Sequence, residues 1–493
     1  MQVMKRRDFL RAGLVAGATV AVPLASGRAS GANEAVRLGF IGCGGRANAL
    51  LTHFTKVDGV RIGGLCDPDQ SRLQKTGKRF PDAMQCTDLR KMLEDDRIDV
   101  VVIATAVHWH ALATIWALEA GKDVYCEKPM SHNLRETRLV AAAIAKSGRI
   151  WQHGTQQQSD PMRADIRQFL HEEKALGKVL SVRTNRYAIR PPIGKRASPL
   201  PIPAHVDYNL WLGPAQDMPL YRNSLQYDWH WDWNTGAGEM GNWGAHILED
   251  VRSTVLPGNV GLPRRICGGG GRVAFADAGQ TPNVHFVYFD TGAVPVVHGL
   301  SNLPAEPGSR QPSPHTGPAS GYTAYCEGGR LECLTRPWAP GQATAFDPDN
   351  KQIRRFSGPG GDIRHQQNFL DAVRSRQAST LNASIRTAGD TVGWCHLANV
   401  TARAGQTFSR ADAKKLGDPS GHWDAAIEQT AELLRTHGLN MESDSIRLSR
   451  FLTIDPVTEQ FTGDGADAAN ALLARTYREP FVVPSLASAH KSG

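Results

Sequence analysis

Apolar runs alternate with helical segments between residues 35 and 155, and this feature most constrains the fold. The runs VRLGFI, VRIGGLC, DVVVIAT and DVYCE are apolar along most of their length, which indicates strands buried on both faces. Segments with helical spacing, such as RANALLTHF and HALATIWALEAG, lie between them. The pattern predicts an α/β fold whose first domain, residues 35–155, is a parallel sheet covered by helices.

The sequence changes character after residue 155. The runs KVLSVRTNRYA, NVHFVYFD, AVPVVHGL and GYTAYCEGGRLEC are separated by turn signals, which predicts a large, mostly antiparallel sheet. We place this sheet in a second α/β domain, residues 156–410. Within it, residues 302–320 hold five prolines and are predicted to be an exposed loop, whereas residues 365–407 regain helical periodicity. Residues 411–493 are expected to form an extension that packs back on both domains.

The first 30 residues are predicted to be a twin-arginine signal peptide. Arginines 6 and 7 precede an apolar stretch that ends in small residues. A membrane anchor is the alternative, but residues 12–25 are too few to cross ~30 Å of hydrocarbon as a helix. We therefore expect export to the periplasm or beyond, with the twin-arginine machinery as a partner. This route exports proteins already folded.

Charge and cysteine spacing argue against several classes of function. The net charge is +8, but residues 1–30 carry five basic residues and one acidic residue. No dense Lys/Arg stripe with interleaved aromatic residues occurs, so nucleic-acid binding is not expected. The eight cysteines show no CxxC spacing, so neither a zinc motif nor a redox motif is predicted. A Gly-Gly turn after Cys326 would pair it with Leu331, and we expect no disulfide to Cys333.

The segment GFIGCGGRA, residues 39–47, follows the first strand and opens the first helix. Gly42 permits a tight turn, Gly44 lets the backbone approach a pyrophosphate, and Ala47 keeps the helix close to the sheet. Asp67 ends the next strand, 20 residues after Ala47, where it can accept hydrogen bonds from ribose hydroxyls. This pattern favours NAD, while the nearby Arg72 leaves NADP open. The alternative is a glycine-rich turn that binds no ligand.

Glu127, Lys128 and Pro129 follow a buried strand of the first domain. Ligands bind at the carboxyl ends of strands in open α/β sheets, so Lys128 is expected at the mouth of the cofactor crevice. A lysine there can donate to a substrate oxygen and stabilise alkoxide character while hydride leaves carbon. The alternative is an ion pair between Glu127 and Lys128 on the surface.

Residues 35–155 resemble the glucose-fructose oxidoreductase/inositol dehydrogenase (Gfo/Idh/MocA) family. VVVIATAVHWHALATIWALEAGKDVYCEKPMS is similar to the family's most diagnostic segment, and GFIGCGGRA is similar to its nucleotide loop. Weaker likeness continues through HGTQQQSDP, LWLGP, GEMGNWGAHILED and HQQNFLDAVRSR. The resemblance implies an N-terminal Rossmann domain and a C-terminal α/β domain whose open sheet lines the substrate site. It also implies a homo-oligomer, because the open sheet often packs against a second copy.

The resemblance implies a tightly bound NAD that an exported protein would carry with it. The residues expected to bind this cofactor are Gly42, Gly44, Gly45, Arg46, Ala47, Asp67, Thr105, His108, His110, Glu127 and Lys128. Family members also carry an Asp-x-x-x-His pair, and the matching residues here are Asn242 and His246. We therefore expect Lys128, Asn242 and His246 to be catalytic, with His246 as general base. The alternative for His246 is a structural histidine.

Residues 227–241, YDWHWDWNTGAGEMG, contain three tryptophans at alternating positions. If the segment is extended, one face is aromatic and the other polar. An aromatic face suits a sugar ring, and a packed edge of the core is the alternative. A metal site is a weaker interpretation, because no ligand spacing is recognisable. The residues expected to bind substrate are Gln157, Tyr187, Tyr227, His230 and Trp231.

Three functions remain open at this point. The first is an NAD-dependent oxidoreductase that acts on a CH–OH group of a sugar or cyclitol. The second is a glycoside hydrolase of the same fold, which works by transient oxidation, elimination, hydration and re-reduction and needs a tyrosine base. The third is a sugar-binding protein without catalysis, against which Lys128 and His246 argue.

Overall fold

The structure is a computed structural model that describes residues 35–258, 260–415, 418, 420–442 and 446–484. The predicted signal peptide therefore lies outside the described residues. In the ranges that are described, every helix is too short or too polar to cross a membrane.

A six-stranded sheet and its helices form the first half of the described chain. Its strands are β1 (Val36–Ile41), β2 (Val60–Cys66), β3 (Met84–Cys86), β4 (Val100–Ile103), β5 (Asp123–Glu127) and β6 (Trp151–Gly154). Its helices are α1 (Gly45–Phe54), α2 (Gln70–Gly77), α3 (Leu89–Leu93), α4 (His110–Glu119) and α5 (Leu134–Ser147). The strand order is β3-β2-β1-β4-β5-β6, with all neighbours parallel. The predicted parallel sheet is confirmed.

Burial explains why these runs form strands and helices. Strands β4 and β5 are buried at every position, as expected for strands that are covered on both faces. Helix α5 begins where the Asn133 side chain accepts a hydrogen bond from the backbone N–H of Glu136. It ends at Gly148, whose φ of 61° is left-handed. The order strand, helix, strand then repeats along the chain and brings the carboxyl ends of the strands to one edge.

A second sheet of eleven strands forms the rest of the fold. Its strands are β7 (Val179–Tyr187), β8 (Arg265–Gly271), β9 (Val284–Asp290), β10 (Val296–Ser301), β11 (Ser320–Cys326), β12 (Gly329–Leu334), β13 (Gln342–Phe346), β14 (Gln352–Ser357), β15 (Arg447–Leu448), β16 (Leu452–Ile454) and β17 (Phe461–Thr462). The accompanying helices are α6 (Met162–Arg167), α7 (Tyr208–Leu212), α8 (Ala245–Asp250), α9 (Arg364–Ser375), α10 (Ile385–Ala404), α11 (Arg410–Lys414), α12 (His422–Thr436) and α13 (Ala466–Asn470).

Antiparallel pairing dominates this sheet. Its order is β14-β13-β12-β11-β7-β10-β9-β8-β16-β17, and β15 also pairs with β8. Among the described strands of this sheet, only β7 and β10 form a parallel pair. The predicted mostly antiparallel sheet is confirmed. The predicted hairpin register is wrong, because Cys326 pairs with Gly329 and the turn is Glu327–Gly328. All eight cysteines are described, and all are free thiols.

The run of glycines in β8 was not predicted to be a strand. A Cβ on Gly269 would lie 2.6 Å from the carbonyl oxygen of Arg447, and one on Gly270 would lie 2.6 Å from that of Val284. Close packing of neighbouring backbone therefore explains the glycines in this interior strand.

The C-terminal segments pack on both halves of the fold. Helix α12 lies on β9 and β10, where Trp423 contacts the ring of Phe286. Near the end of the described chain, Phe481 packs against Trp109 beside α4. Part of one face of the second sheet is thus covered by the chain itself, and the homo-oligomer stays a prediction.

Candidate functional site

A cavity of about 600 Å³ lies where the carboxyl ends of the first-sheet strands meet the second half of the fold. Its first end is lined by the loop after β1 together with Asp67, Arg72 and Asp88. Its other end is lined by side chains from several separate segments: Lys128, Arg186, Arg190, Tyr227, Trp229, His230, Asn242, Trp243 and Trp338. An elongated ligand can thus extend from the loop to Lys128.

The loop after β1 has the geometry that a dinucleotide needs. Gly42 has a φ of +99°, and a Cβ there would lie 2.6 Å from the carbonyl oxygen of Ala104. At Gly45 a Cβ would meet no protein atom within 4 Å, so the absence of a side chain leaves open space. Helix α1 begins here without a side-chain cap and without an acidic residue in its first turn. Its backbone N–H groups can therefore bind a phosphate, and the residues present fit a nicotinamide dinucleotide.

Asp67 supports the loop as well as facing the cavity. Its Oδ2 accepts a hydrogen bond from the backbone N–H of Cys43 at 2.7 Å, and its Oδ1 accepts one from Asp69 at 2.9 Å. Each carboxylate oxygen can still accept a second bond, as ribose recognition requires. Arg72 pairs with Asp69 and also lines the cavity, so NADP is not excluded by geometry.

The Lys128–Pro129 peptide is cis and follows β5 directly. Beside it, the buried Glu127 forms an ion pair with Arg46 at 2.7 Å. Burial would raise the pKa of Glu127, but Arg46 and then Lys128 outweigh it and hold the pKa below its ordinary value. The carboxylate of Glu127 is therefore charged and is neutralised mainly by Arg46, which leaves Lys128 to other partners.

The hydrogen-bond acceptors of the Lys128 ammonium are two oxygens of Asn242. The Lys128 ammonium donates to the Asn242 backbone oxygen at 2.8 Å and to its side-chain Oδ1 at 2.7 Å. The Asn242 Nδ2 in turn donates to Glu239 at 3.1 Å. An amide at this position thus bridges an ammonium and a carboxylate, whereas an aspartate would face Glu239 with like charge. Burial lowers the pKa of Lys128 to about 8, although Glu127 opposes the shift.

His246 is buried and is not among the side chains that line the cavity. Its Nδ1 lies 3.0 Å from Gln157 Oε1, and Gln157 Nε2 donates to the His246 carbonyl at 3.2 Å. Its Nε2 is buried without a hydrogen-bond partner among the described residues. Its ring contacts Trp243 and Trp338, which do line the cavity. Burial, and then the charge of Lys128, lowers the pKa of the ring well below its ordinary value.

Residues 228–231 form a short 3₁₀ helix, so the predicted aromatic and polar faces of an extended segment are wrong. A 3₁₀ turn repeats every three residues and breaks the alternation of a strand. His230 lines the cavity and stacks on Trp229, with ring centroids 3.7 Å apart. The Tyr227 ring also contacts His230, edge to face with centroids 4.6 Å apart, and Tyr227 is half exposed. Trp231 is buried in the core instead.

The structure brings most of the candidate residues to the cavity. Those that line it are Gly42, Gly44, Gly45, Arg46, Asp67, Thr105, His110, Glu127, Lys128, Tyr227, His230 and Asn242. Those that do not line it are Ala47, His108, Gln157, Tyr187, Trp231 and His246. Ala47 packs α1 on the sheet, the His108 ring bonds the carbonyl groups of Thr235 and Trp211, and Tyr187 stacks on His315. Their binding roles stay predictions.

Five residues at or near the cavity were not predicted from the sequence: two arginines, two tryptophans and the buried glutamate that pairs with the arginines. These are Arg186, Arg190, Trp243 and Trp338, with Glu239 between the two arginines. Arg186 also lies flat on Trp243, with its guanidinium carbon 3.6 Å from the ring centroid. No sequence motif links these segments, and only the position of Arg186 at the end of a strand was a signal. Among the described residues, no group of three or more His, Cys, Asp or Glu side chains is arranged to hold a metal ion.

Two family models match parts of this chain. Residues 36–155 match the oxidoreductase family domain described as an NAD-binding Rossmann fold. Residues 192–267 match the C-terminal alpha/beta domain of the same oxidoreductase family. The first match coincides with the first sheet, and the second includes the cavity-lining residues Tyr227, Trp229, His230, Asn242 and Trp243.

Curated relatives match over part of their length. Inositol 2-dehydrogenase 4 of Saccharopolyspora erythraea is 31% identical over 164 residues, which is 32% of this chain and 48% of the relative. A glycosyl hydrolase family 109 protein of Solibacter usitatus is 31% identical over 154 residues, covering 28% of this chain and 35% of the relative. The chain thus spans about half or less of the curated relatives that it matches.

Solved structures show the fold over a larger share of the chain. GenD2 from gentamicin A biosynthesis, solved in complex with NAD, superposes with a TM-score of 0.50 at 17% identity. The match covers 73% of this chain and 92% of GenD2, and at 17% identity it shows only that the two proteins share a fold. The two domain matches show that residues 36–155 and 192–267 are similar to the N-terminal and C-terminal domains of the Gfo/Idh/MocA oxidoreductase family.

Proposed function

We propose that this protein oxidises a CH–OH group of a sugar or cyclitol with a nicotinamide dinucleotide as hydride acceptor. The observation that carries the proposal is the position of the Lys128 ammonium, in a cavity continuous with the glycine loop after β1. The curated relative named an inositol dehydrogenase supports this substrate class. The nicotinamide ring, when bound, accepts the hydride from carbon.

Lys128 would orient the substrate and stabilise charge on its oxygen. An ammonium has three donors, and two of them bond Asn242. The third is free to donate to the hydroxyl that is oxidised. Because Asn242 is itself held by Glu239, the donor is fixed before substrate binds, which is the arrangement that lowers the cost of alkoxide formation.

His246 would accept the hydroxyl proton. A general base needs a partner that fixes its tautomer, and Gln157 is one, because its Oε1 can accept a hydrogen bond from the Nδ1–H of His246. The buried Nε2 is then the unprotonated nitrogen. The half-exposed Trp338 contacts His246 from the cavity side and would have to move aside as substrate binds.

A pair of histidine variants separates the base from a binding residue. We expect His246→Gln to lower kcat by about 10²–10⁴-fold with little change in KM, because general-base catalysis is lost. We expect His230→Gln mainly to raise KM, since no described residue orients its ring nitrogens by a hydrogen bond. Steady-state kinetics of both variants, with bound nucleotide quantified, give the comparison. A large loss of kcat in His230→Gln alone would reverse the assignment.

The glycoside hydrolase of the same fold remains a second candidate. Tyr227 lines the cavity beside His230 and is half exposed, so a tyrosine is available as the base that elimination requires. A curated relative bears the name glycosyl hydrolase family 109 protein. Retained nucleotide would be reduced as the sugar is oxidised and reoxidised as the ketone is reduced again, so no net redox change would accompany glycoside cleavage.

One experiment decides between these candidates. The purified protein is denatured, and the released nucleotide is identified as NAD or NADP by mass spectrometry. The native protein is then offered inositols, aldoses and nitrophenyl glycosides without added nucleotide. A reduced-nicotinamide absorbance band that appears with a sugar or cyclitol supports the oxidoreductase. Release of nitrophenol without that band supports the hydrolase, and the absence of any bound nucleotide and of both reactions would refute both.

We further propose that the protein is exported by the twin-arginine route and retains its NAD tightly. Free nicotinamide nucleotide is scarce outside the cytoplasm, so a bound cofactor would be reoxidised in place by a second sugar. A homo-oligomer is part of the same proposal. Fractionation of cells and size-exclusion chromatography of the product test location and assembly.

A further inference from the structure

The end of the cavity around Lys128 holds more positive than negative charge. Its cations are Lys128, Arg186 and Arg190, and the carboxylate among them is Glu239. The nearby Glu127 does not offset this excess, because Arg46 bonds it at 2.7 Å. The group of three cations and one carboxylate thus carries a net charge of about +2 at neutral pH.

Glu239 is fully buried and is shared between the two arginines. Its Oε1 accepts from Arg186 Nε at 2.8 Å and from Arg190 Nη2 at 3.1 Å. Arg186 is otherwise fixed, because it also donates to Ser320 Oγ at 2.7 Å and lies on Trp243. Arg190 is the more accessible cation, with a quarter of its side chain exposed. One carboxylate cannot neutralise both guanidinium groups.

The histidine at this end adds no negative charge. His230 lines the same wall, and burial, followed by the charges of Lys128 and Arg190, lowers the pKa of its ring well below the ordinary value. It is therefore neutral. An oxidised nicotinamide ring is itself a cation, so the cofactor would add to the excess. Unpaired positive charge in a partly buried site has an unfavourable desolvation free energy, and an anionic ligand offsets it by pairing with that charge.

We propose that the substrate is an anionic sugar whose acidic group binds at Arg190. This inference rests on the proposed function and names the chemical class of its substrate. A planar carboxylate, as in a uronic acid, can accept two parallel hydrogen bonds from a guanidinium group. A sugar phosphate offers the same charge. The flanking Trp229 and Trp243 provide aromatic surfaces for the ring of the sugar.

Binding is measured by tryptophan fluorescence, since three tryptophans line this end of the cavity. The protein as purified is titrated with glucuronate, glucose 6-phosphate and glucose at equal ionic strength. We expect at least one anionic sugar to bind about 10-fold or more tightly than glucose, as a charge-assisted hydrogen bond provides. The tighter of the two identifies the carboxylate or the phosphate as the acidic group. Equal affinity for all three probes would overturn the proposal.

Variants assign the preference to Arg190. Arg190→Gln should lose the preference, so that the anionic sugar binds no more tightly than glucose, and Arg190→Lys should keep part of it. Arg310→Gln, in an exposed loop away from the cavity, is the matched control and should keep it all. A preference that persists in a folded Arg190→Gln overturns the proposal. If anionic sugars bind but no hydride is transferred, the proposed function fails and this inference survives. If neutral and acidic sugars are oxidised equally fast, the proposed function survives and this inference fails.

Discussion

Replacing Lys128 by methionine is expected to lower kcat by about 10²–10³-fold, the loss seen when one preorganised donor to a developing oxyanion is removed. Methionine keeps much of the length of the side chain but supplies no donor. Bound nucleotide should be retained, because the loop after β1 lies at the other end of the cavity. Turnover with the best sugar identified above, and nucleotide content after purification, are the two measurements.

Lys122→Met provides the control for loss of a buried lysine. The Lys122 ammonium donates to the carbonyl oxygen of Asp95 and does not line the cavity, so this variant should keep its kcat.

The pH dependence of kcat is a second measurement of the role of Lys128. Since the pKa of Lys128 lies at about 8, the ammonium form is lost as pH rises through that value, and wild-type activity should fall there. Lys128→Arg should move this fall to higher pH. Full activity in Lys128→Met would refute the assigned role.

Replacing Gly42 by alanine is expected to weaken nucleotide binding by about 10–100-fold and to lower Tm. The Cβ would lie 2.6 Å from the carbonyl oxygen of Ala104, at a φ of +99° that L-residues rarely adopt. Strain of this kind costs about 1–3 kcal/mol and would displace the loop from the position that meets a pyrophosphate. Calorimetric titration of nucleotide-free protein with NAD, and a thermal melt, measure the two effects.

Alanine variants of two other glycines distinguish the effect of backbone strain on Tm from the effect of a methyl group that occupies the ligand's space. Gly45→Ala places its Cβ in open space, so Tm should stay unchanged while NAD affinity falls if the phosphates occupy that space. Gly148→Ala introduces a left-handed alanine at the end of α5, so Tm should fall while NAD affinity stays unchanged. Equal NAD affinity in wild type, Gly42→Ala and Gly45→Ala would contradict the placement of a dinucleotide at this loop.

Strand ends account for what the sequence predicted well. Gly42 and Lys128 each follow a continuous apolar run, and parallel strands bring such ends to one edge of a sheet. Their meeting at one cavity therefore follows from local pattern alone. Asn242 and His246 illustrate the limit, because residues 240–244 form a π-helical turn with i→i+5 bonding. Four-residue spacing then no longer fixes which side chain faces the cavity.

Long-range pairing accounts for what the sequence could not predict. Arg186 and Glu239 are 53 residues apart, and their contact depends on where β7 lies relative to the following loops. Trp338 reaches the cavity from the connection between β12 and β13. The glycines of β8 were missed because propensity disfavours them in strands, whereas crowding by the adjacent backbone requires them.

The hydrogen bonds from Lys128 to Asn242 join the edge of one sheet to a helical segment of the other half of the fold. Any motion that widened the gap between these halves would take from the ammonium both of its anchors. The Lys128 ammonium therefore also helps to hold the two halves together. If a ligand enters through that gap, both hydrogen bonds break during entry, and the ammonium is positioned again only after the two halves have closed.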